Sequence, residues 1–89
     1  MPNEALEIGR RVRARRRVLD LSQKDLADSL GLSFQQISKY EQGHSAPSAI
    51  ILARIAITLG ISIGDLLPES LKSPASRTEA KSGGGQIAA

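Results

Sequence analysis

The sequence predicts an all-α fold of five short helices, and three observations carry that prediction. Between Gln23 and Gln42 two short amphipathic patterns meet at one glycine, Gly31, each opened by a serine with a capping partner three residues on. A further helix before them and two after them repeat the three- and four-residue spacing of apolar side chains. Breakers stand where the patterns stop: Gly31, Gly43, Pro47 and Pro68.

The first helix is expected from about Glu4 to near Leu19, with Asn3 as N-cap and Glu4 and Glu7 complementing the helix dipole. Its core stripe reads Ile8, Val12 and Leu19, and Arg16 falls on the same side. A charge on that stripe needs a partner, unless the side chain snorkels to solvent. The second helix starts near Gln23 behind the box Ser22-Gln23-Lys24-Asp25, and Leu26, Ala27 and Leu30 share its inner face. Gly31 supplies a left-handed turn and Leu32 points inward. The third helix starts near Phe34 behind Ser33-Phe34-Gln35-Gln36, a box expected to occupy Gln36. Ile37 and Tyr40 face the core, and Glu41 lies beside them, so it is the economical partner for Arg16. Phe34, Gln35, Ser38 and Lys39 face outward, the arrangement a helix needs to read base edges in a major groove.

The fourth helix, Ser48 to Leu59, is more apolar than one buried face requires. Leu52, Ile55, Ala56 and Leu59 suffice for the core, leaving Ile50 and Ile57, seven apart, as surplus. A short fifth helix is capped by Ser62 with Asp65, carries Ile63, Leu66 and Leu67, and ends at Pro68. The predicted organisation is one domain over 1–67 and a disordered tail over 68–89, rich in Ser, Pro, Lys, Glu and Gly.

Composition excludes several function classes. In 89 residues there is no cysteine and one histidine, His44, so thiol chemistry and a His/Cys metal site are not expected. No catalytic triad or phosphate-cradling glycine loop is present, and neither an enzyme nor a cofactor is expected. The chain lacks a membrane-length apolar run and a signal-peptide layout, which predicts a cytoplasmic protein. Net charge is only +3, yet Arg10, Arg11, Arg13, Arg15, Arg16 and Arg17 crowd into the first helix. Such a run reads either as a solvated face or as a set of phosphate contacts.

These residues resemble the lambda-repressor-like (Xre/Cro) helix-turn-helix family over roughly Ile8 to Leu67. The resemblance rests on Leu21-Ser22-Gln23-x-x-Leu26-Ala27, Leu30-Gly31-Leu32-Ser33, Ile37-Ser38-Lys39-Tyr40-Glu41-x-Gly43, Pro47-Ser48, Ile55-Ala56, Leu59-Gly60-Ile61-Ser62 and Leu66-Leu67. Ser33-Phe34-Gln35-Gln36 with Lys39-Tyr40-Glu41 also looks like an alphaproteobacterial branch. The resemblance implies the five-helix DNA-binding fold, the Arg16–Glu41 pair, phosphate contacts at Gln42 and Gly43, and a dimer contact around the fifth helix. Relatives usually carry glycine where this chain has Asp20, and often Lys or Arg in the loop that here offers His44 and Ser45. Ile50 and Ile57 stand at positions usually polar in the family.

The functional reading is a transcriptional regulator that binds double-stranded DNA as a homodimer on a pseudo-palindromic operator, a class that includes controller proteins of restriction–modification systems. Base reading is assigned to Phe34, Gln35 and Lys39, with Ser33 and Ser38 at the margin. Phosphate contact is assigned to Arg13, Arg16, Arg17, Gln23, Gln42 and Gly43, and the dimer interface to Ile50, Ile57, Ile61 and Ile63. Phe34 has two readings, contact with a thymine methyl or a staple against Leu32. The alternative for the whole chain is an antitoxin or adaptor of the same fold, whose isoleucines cover a protein partner.

Overall fold

The computed structural model describes residues 3–72, which form five α-helices and a closing 3₁₀ turn. They are α1 (Glu4–Val18), α2 (Gln23–Leu30), α3 (Phe34–Glu41), α4 (Ala49–Leu59) and α5 (Ile63–Leu66), with the turn at Glu69–Leu71. There is no strand among the described residues.

The first four helices start where a short polar side chain satisfies a first-turn N–H. Asn3 Oδ1 accepts from the Leu6 N–H at 3.0 Å, and Ser48 Oγ from the Ile51 N–H at 3.2 Å. At α2 the box is complete, with the Asp25 N–H donating to Ser22 Oγ and the Ser22 N–H to Asp25 Oδ2, both at 2.9 Å. The latter bond holds the Asp25 carboxyl below the ordinary carboxylate range, so its stabilisation is lost only as the pH falls through that lowered pKa. At α3 only half of the expected box forms. Ser33 Oγ accepts from the Gln36 N–H at 3.1 Å, and the Gln36 side chain does not return the bond. A neutral amide gains less from the positive end of a helix than the carboxylate of Asp25 does.

Four helices end in the same double hydrogen bond. After α2 the Leu32 N–H reaches back to the Ala27 carbonyl while Gly31 bonds Asp28, and the pattern recurs after α1, α3 and α4. The motif needs a left-handed residue, supplied after α1 by Asp20 at φ 59°, the one non-glycine with positive φ among the described residues. It also folds the next apolar side chain inward. Leu21, Leu32 and Ile61 occupy that place after α1, α2 and α4, and all three pack on the core. Leu19 therefore does not join the core stripe as expected. It caps α1 at 38% exposure, and Leu21 fills the space instead.

The core takes fully buried residues from every helix: Val12, Leu26, Ile37, Ile55, Leu59 and Leu66. Burial of each stabilises the fold by roughly 1.5–3 kcal/mol before entropy is counted. Gly9 lets α1 lie against the end of α3, since a Cβ there would collide with the Tyr40 and Glu41 carbonyl oxygens. The packed chain continues past the expected boundary at Leu67: Pro68 is buried, and Ser70 Oγ donates to Glu4 Oε2 at 2.7 Å. From residue 73 onward the predicted tail lies outside the described residues.

Asp20 carries a steric cost in its left-handed conformation and places a negative charge at the negative end of α1. Asp20→Gly is expected to stabilise the fold by about 0.5–1 kcal/mol. Chemical denaturation checks this, and an unchanged or lowered midpoint would show that the strain is already relieved.

Candidate nucleic-acid interface

The site is built around a buried ion pair between the first and third helices. Arg16 and Glu41 are both buried, and the guanidinium meets the carboxylate in a fork, Nε to Oε2 at 2.6 Å and Nη2 to Oε1 at 3.0 Å. The hydrogen bond to Glu41 raises the Arg16 pKa above its ordinary value. The network extends in two directions. Arg16 Nη1 donates to the Leu21 carbonyl at 2.7 Å, and Gln23 Nε2 donates to Glu41 Oε1 at 3.1 Å. The first residue of α2 is thereby tied to the last residue of α3.

These bonds give Arg16 an internal role beside the phosphate contact expected of it. Each of its three nitrogens donates once inside the protein, where a buried carboxylate and a carbonyl must be satisfied. Arg13 and Arg17, by contrast, are exposed and line a cleft of about 340 Å³ with Arg16, Gln23, Glu41 and Gln42. Their guanidinium groups, the α2 N-terminus and the free amide hydrogen of Gln23 surround that cleft, which suits an anion.

The arginine run divides cleanly by helical face. Arg11 donates to the Leu67 carbonyl at 3.0 Å and to Glu7 at 3.1 Å, and Arg15 donates to the Leu59 carbonyl at 2.9 Å. These two cover the C-terminal ends of α5 and α4, as Arg54 covers α2 through the Leu30 carbonyl at 3.1 Å. Arg10, Arg13 and Arg17 share the opposite face of α1, open to solvent. The carbonyl-covering roles of Arg11, Arg15 and Arg54 are not legible in the sequence. No periodicity reports which helix end a long side chain will reach.

On α3 the outward row is Gln35 and Lys39, both exposed, with Phe34 exposed at the tip and Ser33 beside it. Ser38 is half-buried, and its Oγ accepts from Gln42 Nε2 at 3.1 Å, which orients the Gln42 amide beside the cleft. Gly43, at φ 76°, packs against Leu6 on α1. His44 is exposed, so the apolar lock that follows the other three helix ends is absent here. Ile50 and Ile57 are 73% and 79% exposed and Ile63 is 38% exposed. Ile61 is half-buried, turned partly onto the core as the closing residue of α4.

A helix-turn-helix family model matches residues 12–66. The chain is 50% identical over 56 residues to an uncharacterized transcriptional regulator in the ATPase CF(0) region of Rhodospirillum rubrum, covering 63% of this chain and 52% of that protein. It spans about half or less of the length of the first curated relatives it matches. Among solved structures it is similar to the restriction-modification controller protein C.AhdI from Aeromonas hydrophila, with TM-score 0.68 and 28% identity over 71% of this chain and 96% of that one. A hydroxypropylphosphonic acid epoxidase from S. wedmorenis also matches, with TM-score 0.71 and 28% identity over 76% of this chain but only 36% of the epoxidase. Among the described residues no His/Cys/Asp/Glu cluster could hold a metal, and no helix is long and apolar enough to cross a membrane.

Removing one partner of the ion pair leaves the other buried and uncompensated. Glu41→Ala is expected to destabilise the fold by roughly 3–5 kcal/mol. Glu41→Gln, which keeps the shape, is expected to cost less. A denaturation midpoint for Glu41→Ala within error of the parent would show that the pair contributes nothing to stability.

Proposed function

The chain belongs to the helix-turn-helix family of Xre/Cro-like transcriptional regulators, and on that premise we propose that it is a sequence-specific DNA-binding regulator acting as a homodimer in the cytoplasm. One observation carries the reading: α3 presents an exposed polar row while the cleft beside it gathers exposed arginines and a helix N-terminus. α3 enters the major groove of double-stranded DNA. Gln35 bonds an adenine edge through N6 and N7, and Lys39 reaches a guanine edge or a phosphate. Phe34, Ser33 and Ser38 complete the reading surface. Arg13, Arg17, Gln23, Gln42 and the Gly43 amide hold the backbone and set the register.

One recognition helix reads too few bases for specificity. Two copies must set their α3 helices about 34–36 Å apart on a pseudo-palindrome, so the contact between copies has to lie away from α3. Ile50, Ile57 and Ile63 form the apolar surface that supports this, and a two-fold contact would bury each of them twice. A protein partner covering the same isoleucines is the competing reading, favoured by their high exposure alone.

Binding to defined sites selected from random DNA tests the proposal. Gln35→Ala is expected to weaken specific binding by roughly 1–3 kcal/mol and leave binding to random DNA unchanged. Arg13→Ala and Arg17→Ala are expected to weaken both alike and to flatten the salt dependence. Equal losses on both DNAs for Gln35→Ala would remove it from the reading set.

The dimer is tested separately by Ile57→Glu, expected to give a folded monomer with much weaker operator binding. Sedimentation showing an unchanged dimer, or a monomeric parent at high concentration, would refute the interface.

A further inference from the structure

The chain has one phenylalanine, and the fold keeps it out of the core. Phe34 is the first residue of α3 and is 51% exposed, while aliphatic side chains and Tyr40 fill the interior. The staple that often fixes a helix entry joins the residue before the cap to the fourth helical residue, here Leu32 and Ile37. Leu32 packs on the core and Ile37 is buried, so those positions are filled without Phe34. An aromatic ring therefore stands at the leading edge of α3, beside Gln35.

Residues at the start of a recognition helix are the ones that reach base edges. Phe34 has no hydrogen-bond donor or acceptor to offer there. The major groove has one apolar feature that answers to it, the methyl group on C5 of a pyrimidine. Resting on the DNA-binding reading above, we propose that Phe34 reads a pyrimidine C5-methyl group next to the base bonded by Gln35. Thymine and 5-methylcytosine both present that group, and uracil and cytosine lack it. Operator affinity therefore depends on the methyl state of one position in each half-site. Gln36, whose amide the cap leaves unbonded, lies on a different side of α3 and does not compete for this contact.

The test uses the full chain and the operator selected from random DNA. Each thymine is replaced in turn by deoxyuridine, and binding is measured for the parent, Phe34→Ala and Phe34→Leu. One thymine per half-site is expected to show a three- to fivefold loss in the parent, the size of one buried methyl. Phe34→Ala is expected to bind the thymine operator more weakly and to be indifferent to uracil there, while Phe34→Leu keeps part of the discrimination. Cytosine and 5-methylcytosine at that position separate the two sources of the methyl group. In the parent 5-methylcytosine is expected to bind tighter than cytosine by a similar factor, and in Phe34→Ala equally. Uracil tolerated at every position, or the same uracil loss in Phe34→Ala, overturns the proposal while leaving sequence-specific binding intact. Absence of any preferred sequence overturns the DNA-binding reading itself.

Discussion

The arrangement of the first three helices depends on the contact between Arg16 and Glu41. A guanidinium fork fits a carboxylate in few orientations, so a bidentate pair fixes an angle as well as a distance. Such a pair adds less stability than well-packed apolar side chains of similar size would. Its consequence here is geometric. Glu41 takes bonds from α1 through Arg16 and from α2 through Gln23, while Arg16 also holds the carbonyl of Leu21 between those helices. The pair has an electrostatic consequence too. Glu41 lines the cleft proposed to receive phosphate, and an uncompensated carboxylate there would repel it. Arg16 neutralises that charge from within, leaving the fields of Arg13 and Arg17 to act outward.

Helices of eight residues, such as α2 and α3, are not stable by propensity. Their ends must be held by something other than length. At the N-termini short polar side chains meet the free N–H groups, and at the C-termini the repeated double bond and an apolar lock meet the free carbonyls. Arg15 and Arg54 add charge-assisted bonds to carbonyls that this motif leaves over, and Arg11 does the same after α5, where the motif is absent. Each of these bonds runs between elements distant in sequence, so helix termination and tertiary packing are one interaction here. The end of α3 departs from the pattern, with His44 where Leu21, Leu32 and Ile61 stand elsewhere. An apolar side chain in that place would be drawn inward, whereas His44 leaves the loop beside the proposed DNA face polar.

The helices were legible because their signals are local: Ser22 with Asp25, Ser33 before Phe34, and glycines at fixed offsets. The buried residues of α2, α3 and α4 followed from spacing alone. What the sequence left open turns on reach. Arg11, Arg13, Arg15 and Arg17 are identical in composition, yet two cover helix ends and two face solvent. Only the positions of α4 and α5 decide between those fates. Leu21 takes the place expected for Leu19 because the motif after α1 turns the chain back, a step that helical periodicity does not contain. Gly9 was overlooked for a similar reason: its lack of a side chain matters only where another backbone crosses it.

The distribution of surfaces argues for a division of labour. α4 packs mainly on α2, α5 and α1, so its exposed isoleucines stand on a helix other than the one that carries Gln35 and Lys39. A second copy seated on Ile50 and Ile57 would leave the reading helix uncovered. It would also be linked to that helix through rigid contacts, since α4 packs on α2 and α2 packs on α3. In such a dimer the half-site spacing would be set by packing already present in one copy. On the proposed reading, small apolar changes on α4 would alter where α3 lands without touching a base, whereas changes at Gln35 would alter what α3 reads without moving it.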